Sequence, residues 1–213
     1  MAKKGNDFKA QPKQNQKQVI NFLRSNEISI LTGMAGSGKD FLCLYRALEG
    51  LDQGEFDKIV LIKPIVEVGR SMGFLPGDEE DKTSAYEKSF YENIKKITST
   101  AFFNKYKSKI KFEPVNFLRG NTIEYSAVIL SEAQNLTLHE LISTTTRISH
   151  NSKFFVNGDL MQSDIGRKSG FKDYISILKN VDGASYMELG EEFQMRSKII
   201  VDITKEYIKF LNK

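Results

Sequence analysis

Apolar residues along the chain come in two alternating kinds of block: short unbroken runs, and longer stretches that repeat every three or four positions. The segments 28–32, 58–63, 127–130, 154–156 and 184–189 are too short for helices and predict strands. The run Ile59-Val60-Leu61-Ile62 suits a central parallel strand covered on both faces, and Pro64 bars its continuation. Residues 110–112 read as an edge strand before Pro114. Helical spacing predicts a short helix beginning at 16–20, and one over 39–48 with Phe41, Leu44, Tyr45 and Leu48 on one face, ended by Gly50. Further helices are predicted over 83–107, with Tyr86, Phe90, Ile94 and Ile97 on one side, and over 136–148, 171–178 and 197–211. Strands that alternate with helices imply βαβ crossovers, hence an α/β fold of three layers around a mainly parallel central sheet. The Lys-, Gln- and Asn-rich start predicts a flexible arm over 1–14, followed by a single domain over 15–213.

Composition narrows the class without naming a function. Of 213 residues, 40% are hydrophobic and 27% charged, enough for a packed core. A formal charge of +4 leans only weakly toward polyanions. One cysteine, Cys43, excludes an internal disulfide framework, and with only two histidines an ordinary structural zinc site is excluded too. No secretory signal follows Met1, and no long apolar run spans a membrane, so a cytoplasmic protein is expected.

The chemistry enters at Gly33-Met34-Ala35-Gly36-Ser37-Gly38-Lys39-Asp40, which follows a predicted strand and opens a predicted helix. That context makes a phosphate-binding loop credible: glycines let amides curl around a phosphate, the helix start adds partial positive charge, and Lys39 supplies a point charge. Gly33 to Lys39, with Asp40 and Phe41 behind them, are therefore expected to hold ATP. The pattern calls for Ser or Thr at position 40, to place a hydroxyl on Mg²⁺, and the chain has Asp40. A second departure mirrors it. The strand 127–130 should end in a metal-holding Asp, and it ends in Ser131-Glu132. The two sites can be read as an exchange, in which Asp40 takes Mg²⁺ and Ser131 a water in its shell, or as a degenerate site that binds nucleotide without hydrolysing it. Glu132 stands where a water-orienting base belongs.

Four stretches resemble the PhoH-like family of predicted ATPases, whose core is similar to a single superfamily 1 helicase core and many of whose members are phage-encoded. They are 33–39; 63–69 with Gly73-Phe74-Leu75-Pro76-Gly77-Asp78; Leu118-Arg119-Gly120 leading to 131–135; and Asn157-Gly158-Asp159-Leu160-Met161-Gln162-Ser163-Asp164. The resemblance implies roles. Gln16 would read adenine, with a solvated arm residue as the alternative. Gln134 would meet the γ-phosphate or couple the site to a partner. Gly158-Asp159 with Gln162 would form a sensor, Gln162 meeting the γ-phosphate or the attacking water. Arg196 would neutralise charge on the γ-phosphate, in cis or from a neighbouring subunit. Where the family commonly has an acid before this arginine, the chain has Phe193. RNA or single-stranded DNA is the expected partner and a homo-oligomer, a ring such as a hexamer, the expected assembly, because one core cannot clamp a strand alone.

Lys95, Lys96, Lys105, Lys107, Lys109 and Lys111, interleaved with Phe102, Phe103 and Tyr106, form a candidate nucleic-acid face, against the plainer reading of core rings and solvated lysines. The lysines of the N-terminal arm are a second candidate. The acidic run 78–81 reads as a solvated helix start. Three function classes stand: an ATPase acting on nucleic acid, a nucleotide-gated scaffold, and a small nucleotide kinase, which the absence of an arginine-rich lid disfavours.

Overall fold

The computed structural model describes residues 7–64, 79–115, 122–149 and 151–211. Six strands form one parallel sheet: β1 (Ile28–Gly33), β2 (Lys58–Lys63), β3 (Ile110–Pro114), β4 (Ser126–Leu130), β5 (Lys153–Gly158) and β6 (Ala184–Leu189), in the order β3-β2-β4-β5-β1-β6. Alternation within the strands explains their unbroken apolar runs. Ile59 and Leu61 face one core with Ile129 and Phe155, while Val60 and Ile62 face a second with Val128, Phe154 and Val156. Both faces are buried, which accounts for the apolar runs of β2 and β4.

The first core is roofed by α1 (Lys17–Ser25), α2 (Lys39–Gln53), α3 (Glu79–Ile97) and α4 (Thr100–Tyr106). The second is roofed by α5 (Leu138–Thr145) and α6 (Phe171–Leu178). A last helix, α7 (Lys198–Leu211), leaves Ile199, Ile203, Tyr207 and Phe210 exposed. Because β4, β5 and β1 are neighbours in one parallel sheet, their carboxyl ends open on a single edge. That is where open α/β sheets hold ligands.

Several expectations change. The helix expected to end at Gly50 runs on to Gln53, with Gly50 buried inside it, and stops before the left-handed Gly54 at φ 75°. The helix expected over 83–107 is two helices. The backbone of Thr98 pairs with Phe8 as an antiparallel bridge, and the Ser99 hydroxyl accepts from the Phe102 N–H at 3.1 Å, starting α4 anew. Likewise α5 is shorter than the 136–148 expected, because Thr137 caps it in a capping box with Glu140. The same Phe8 bridge alters the arm: its described part, from residue 7, lies on the body. The Phe8 ring sits 5.1 Å from that of Tyr45 and 5.3 Å from that of Phe102, and the Tyr45 hydroxyl donates to Gln11 at 2.8 Å. The Gly-Phe-Leu-Pro-Gly-Asp run, Leu118-Arg119-Gly120 and the start of the acidic run lie outside the described residues.

Candidate nucleotide site

The loop between β1 and α2 adopts backbone angles that side chains resist. Gly38, the residue before α2, is left-handed at φ 82°, and Gly36 has φ 92° with no room for a Cβ, which would sit 2.7 Å from Arg196 Cγ. Lys39 folds back onto the loop: its Nζ donates to the carbonyls of Gly33 at 2.6 Å and Met34 at 3.1 Å. Burial holds the Lys39 ammonium below the usual lysine range, against the opposing pull of Asp159, Asp40 and Glu132.

Asp40 opens α2 and meets Ser131 at the end of β4. The Ser131 hydroxyl, 2% exposed, donates to Asp40 Oδ1 at 2.7 Å, and the Asn157 side-chain amide donates to the same oxygen at 3.0 Å. The two residues at the positions that depart from the expected pattern are thus bonded to one another. Ser131 directs its one proton to the carboxylate. Behind them, burial pushes the Cys43 thiol well above its ordinary pKa, which leaves it inert.

Glu132 has a left-handed backbone at φ 58°, unusual for a residue with a Cβ, and this turns it into the open edge. Its Oε2 accepts from the Gln134 amide at 2.6 Å, and Gln134 Oε1 accepts from the Asp159 N–H at 3.0 Å. Asp159 Oδ2 in turn accepts from the Ala35 N–H at 3.1 Å. A chain of hydrogen bonds therefore runs from the expected base to the loop. Gln134 is buried within it. Asn135 and Asp164 form a second clasp, amide to carboxylate at 2.7 Å and N–H to amide oxygen at 2.8 Å.

Two residues flank the loop from outside the sheet. Gln16, expected as an adenine reader or a solvated arm residue, is 2% exposed; its Oε1 accepts from the Lys13 N–H at 2.9 Å and its amide nitrogen lies beside Gly38. Arg196 is exposed and held against Gly36 by its neighbour, since the Met195 N–H donates to the Gly36 carbonyl at 3.0 Å. Phe193, the departure from the family acid, is a core residue.

Ala35, Gly36, Gly38, Lys39, Asp40, Phe41, Glu132, Gln162 and Arg196 together line one cavity of about 280 Å³, with Gln134, Asn157, Gly158 and Asp159. Gly33 and Met34 lie at its base through their carbonyls, Ser37 is buried in the loop, Ser131 stands behind Asp40, and Gln16 sits beside the rim. A larger cavity of about 770 Å³ lies at the other edge, near the start of β1 and β5, far from this chemistry. Asn157 is a site residue to which sequence reasoning assigns no role. The signal was a polar residue ending an otherwise apolar buried strand. The basic face fares differently. Phe102, Phe103 and Tyr106 are buried, and Lys95 and Lys105 sit over Phe103 and Tyr106 at 5.0 and 4.5 Å from the ring centroids, so these rings are core and cannot stack bases.

A parallel sheet, a glycine loop opening onto a helix with its lysine, and polar ends of β4 and β5 around the same cavity define a P-loop NTPase fold. A solved Pif1 helicase from Candida albicans has the same fold, with a TM-score of 0.50 at 15% identity over 93% of this chain and 44% of that one. The chain belongs to the PhoH-like protein family, whose model matches residues 10–208. A PhoH-like protein of Bacillus subtilis is 32% identical over 91% of this chain and 62% of its own length; Protein PhoH of Escherichia coli is 29% identical over 86% and 54%. The chain thus spans a little over half the length of such relatives. Among the described residues no helix is long and apolar enough to cross a membrane, and no cluster of His, Cys, Asp and Glu could hold a metal by itself.

Proposed function

We propose that the protein binds ATP in the 280 Å³ cavity and hydrolyses it with Mg²⁺, working in the cytoplasm on RNA or single-stranded DNA as a homo-oligomer. One observation carries the reading: Lys39, Glu132, Gln162 and Arg196, drawn from four separate stretches of chain, line the same cavity beside the glycine loop. Lys39 would leave its two carbonyls for the terminal phosphates. Glu132 would orient the attacking water, with Gln134 fixing its carboxylate. Gln162 and Arg196 would meet the charge that develops on the transferred phosphoryl group. The donors fit a hard divalent cation: a carboxylate from Asp40, supported by the Ser131 hydroxyl, beside phosphate oxygens. When bound, Mg²⁺ would neutralise phosphate charge that Asp40 would otherwise repel.

The helicase likeness supports a nucleic-acid partner. The apolar residues exposed on α7, and the single lobe that the described core provides, support association with further copies. The carboxylate at the loop's mouth favours a second reading, a nucleotide-gated scaffold without turnover. Phosphate release from ATP and Mg²⁺, with and without RNA or single-stranded DNA, separates them when wild type is compared with Lys39→Ala and Glu132→Gln. Release above the Lys39→Ala level supports hydrolysis; ATP binding without such release supports the scaffold. Light scattering with nucleotide present tests assembly, and a monomeric mass would count against it.

A further inference from the structure

We propose that Asn157 is a positioning residue that holds Asp40 in the orientation a nucleotide-bound cation requires, so that the exchange of residues involves three positions, with Asn157 joining Asp40 and Ser131. The inference rests on the nucleotide reading above. Asp40 stands in the first turn of α2, at an exposed position where a carboxylate without partners would be free to rotate. Its Oδ1 receives two donors, Ser131 at 2.7 Å and Asn157 at 3.0 Å, while among the described residues Oδ2 receives none and Asp40 lines the cavity. One oxygen is occupied on the protein side, and the other is left for a ligand.

The amide of Asn157 accounts for this division. It sits in the last turn of the pleat of β5, on the same face as Phe155 and toward α2, and is 3% exposed. A carboxylate only accepts hydrogen bonds, so the nitrogen of Asn157 must be the end turned toward Asp40. The same nitrogen lies 3.4 Å from the Ser131 oxygen. Ser131 therefore accepts from Asn157 and donates to Asp40, and its single proton is directed. A hydroxyl alone could rotate away; an amide anchored in a strand cannot, because leaving it unpaired in this dry position is costly. A carboxylate at position 40 beside a second carboxylate at 131 would give Asn157 two competing acceptors, and a hydroxyl at 40 would give it none that needs two donors. Asn157 suits the pairing this chain has.

Fluorescence titration with an N-methylanthraniloyl-labelled ATP, in EDTA and then against increasing Mg²⁺, tests the role apart from turnover. For Asn157→Ala, the Mg²⁺ concentration giving half the metal-dependent change should rise about tenfold, the expected loss for one charge-assisted hydrogen bond. Affinity in EDTA should change far less, which also shows the variant folded. In Asp40→Asn with Asn157→Asp the bond is inverted: thermal stability should return while the Mg²⁺ response stays lost, because the carboxylate has moved from the mouth of the cavity into the strand. The proposal is overturned if Asn157→Ala keeps the wild-type Mg²⁺ midpoint, if EDTA and Mg²⁺ affinities fall equally, or if the inverted pair recovers the Mg²⁺ response. Should Asn157→Ala unfold, the inverted pair decides alone. If wild type itself shows no Mg²⁺ effect on the labelled nucleotide, the nucleotide-cation reading falls and takes this with it; a wild-type effect that Asn157→Ala retains sinks the positioning role only.

Discussion

Replacing Ser131 by Asp restores the acid expected at the end of β4 and should nevertheless damage this protein. The Ser131 hydroxyl lies 2.7 Å from Asp40 Oδ1, and Ser131 is buried. A carboxylate in its place loses that hydrogen bond, worth about 1.5–3 kcal/mol with a charged acceptor. It also sets two negative groups roughly 4 Å apart, a repulsion of about 4 kcal/mol at an effective dielectric of 20. Asp40 is exposed and can swing toward solvent, and the new acid can take up a proton, so the loss should settle at about 2–3 kcal/mol at neutral pH. Asp40→Thr alone removes the acceptor and should cost about 1 kcal/mol. The double change places a hydroxyl against a carboxylate again, with the partners reversed, and should lie within about 1 kcal/mol of wild type. The sign with pH follows. The introduced acid has a folded-state pKa raised above its unfolded value, so the native state holds the proton more tightly. The penalty is therefore complete above the raised pKa and fades as pH falls toward the unfolded value. Urea unfolding of the four proteins at neutral and mildly acidic pH measures this. If the two single changes add within about 0.5 kcal/mol in the double, the residues do not act as a pair and the exchange is refuted.

Three shorter expectations follow from the same site and its support. Burial depresses the Lys39 ammonium, so Lys39→Met should leave the nucleotide-free melting temperature unchanged or higher while abolishing ATP binding; a drop of many degrees in differential scanning fluorimetry would show that the lysine braces the loop. Because Arg196 lies over Gly36 at the cavity rim, Arg196→Ala should lower phosphate release by about 10³-fold with ATP binding little changed, and an equal loss of binding would make it a prop of the loop instead. Phe8 packs on Tyr45 and Phe102, so Phe8→Ala should cost about 2–3 kcal/mol in urea unfolding, whereas a near-zero effect would return this segment to the status of a free arm.

What was legible in the sequence depended on how local the cause was. The runs at 59–62 and 127–130 announced parallel strands because both faces of each are covered, and nothing but apolar residues fits there. The loop at 33–39 was legible because its glycines and lysine answer to a phosphate, whatever surrounds them. The break at Thr98-Ser99 was hidden, since its cause is a bridge to Phe8 some ninety positions away. The anchoring of the arm was hidden for the same reason: a Lys- and Gln-rich composition conceals one aromatic that docks. Lysines beside aromatics at 95–111 suggested stacking, but spacing alone cannot say which side of a helix faces the core. Asn157 stayed without a role because its meaning comes from two residues on other elements, Asp40 and Ser131.

The charges in the site share one arrangement, and it bears on how the site would work. Lys39 is surrounded by Asp40, Glu132 and Asp159, all of which act on it, yet among the described residues it forms an ion pair with none of them. Its ammonium rests on two carbonyls. Glu132 rests on the amide of Gln134, Asp159 on the N–H groups of Ala35 and Met161, and Asp40 on Ser131 and Asn157. Each of these four charges is satisfied by a neutral dipole, and those dipoles are fixed by strands or by loops. Had Lys39 closed on one of the three acids, a phosphate would have to break a desolvated ion pair before it could bind. Exchanging carbonyls for phosphate oxygens costs far less, and the acids stay where they are while the lysine turns. The neutral residues Gln134, Ser131 and Asn157 thus keep opposite charges apart in a space of a few hundred cubic ångströms, an arrangement that, on the proposed function, would leave the lysine for a phosphate and the Asp40 carboxylate for a cation.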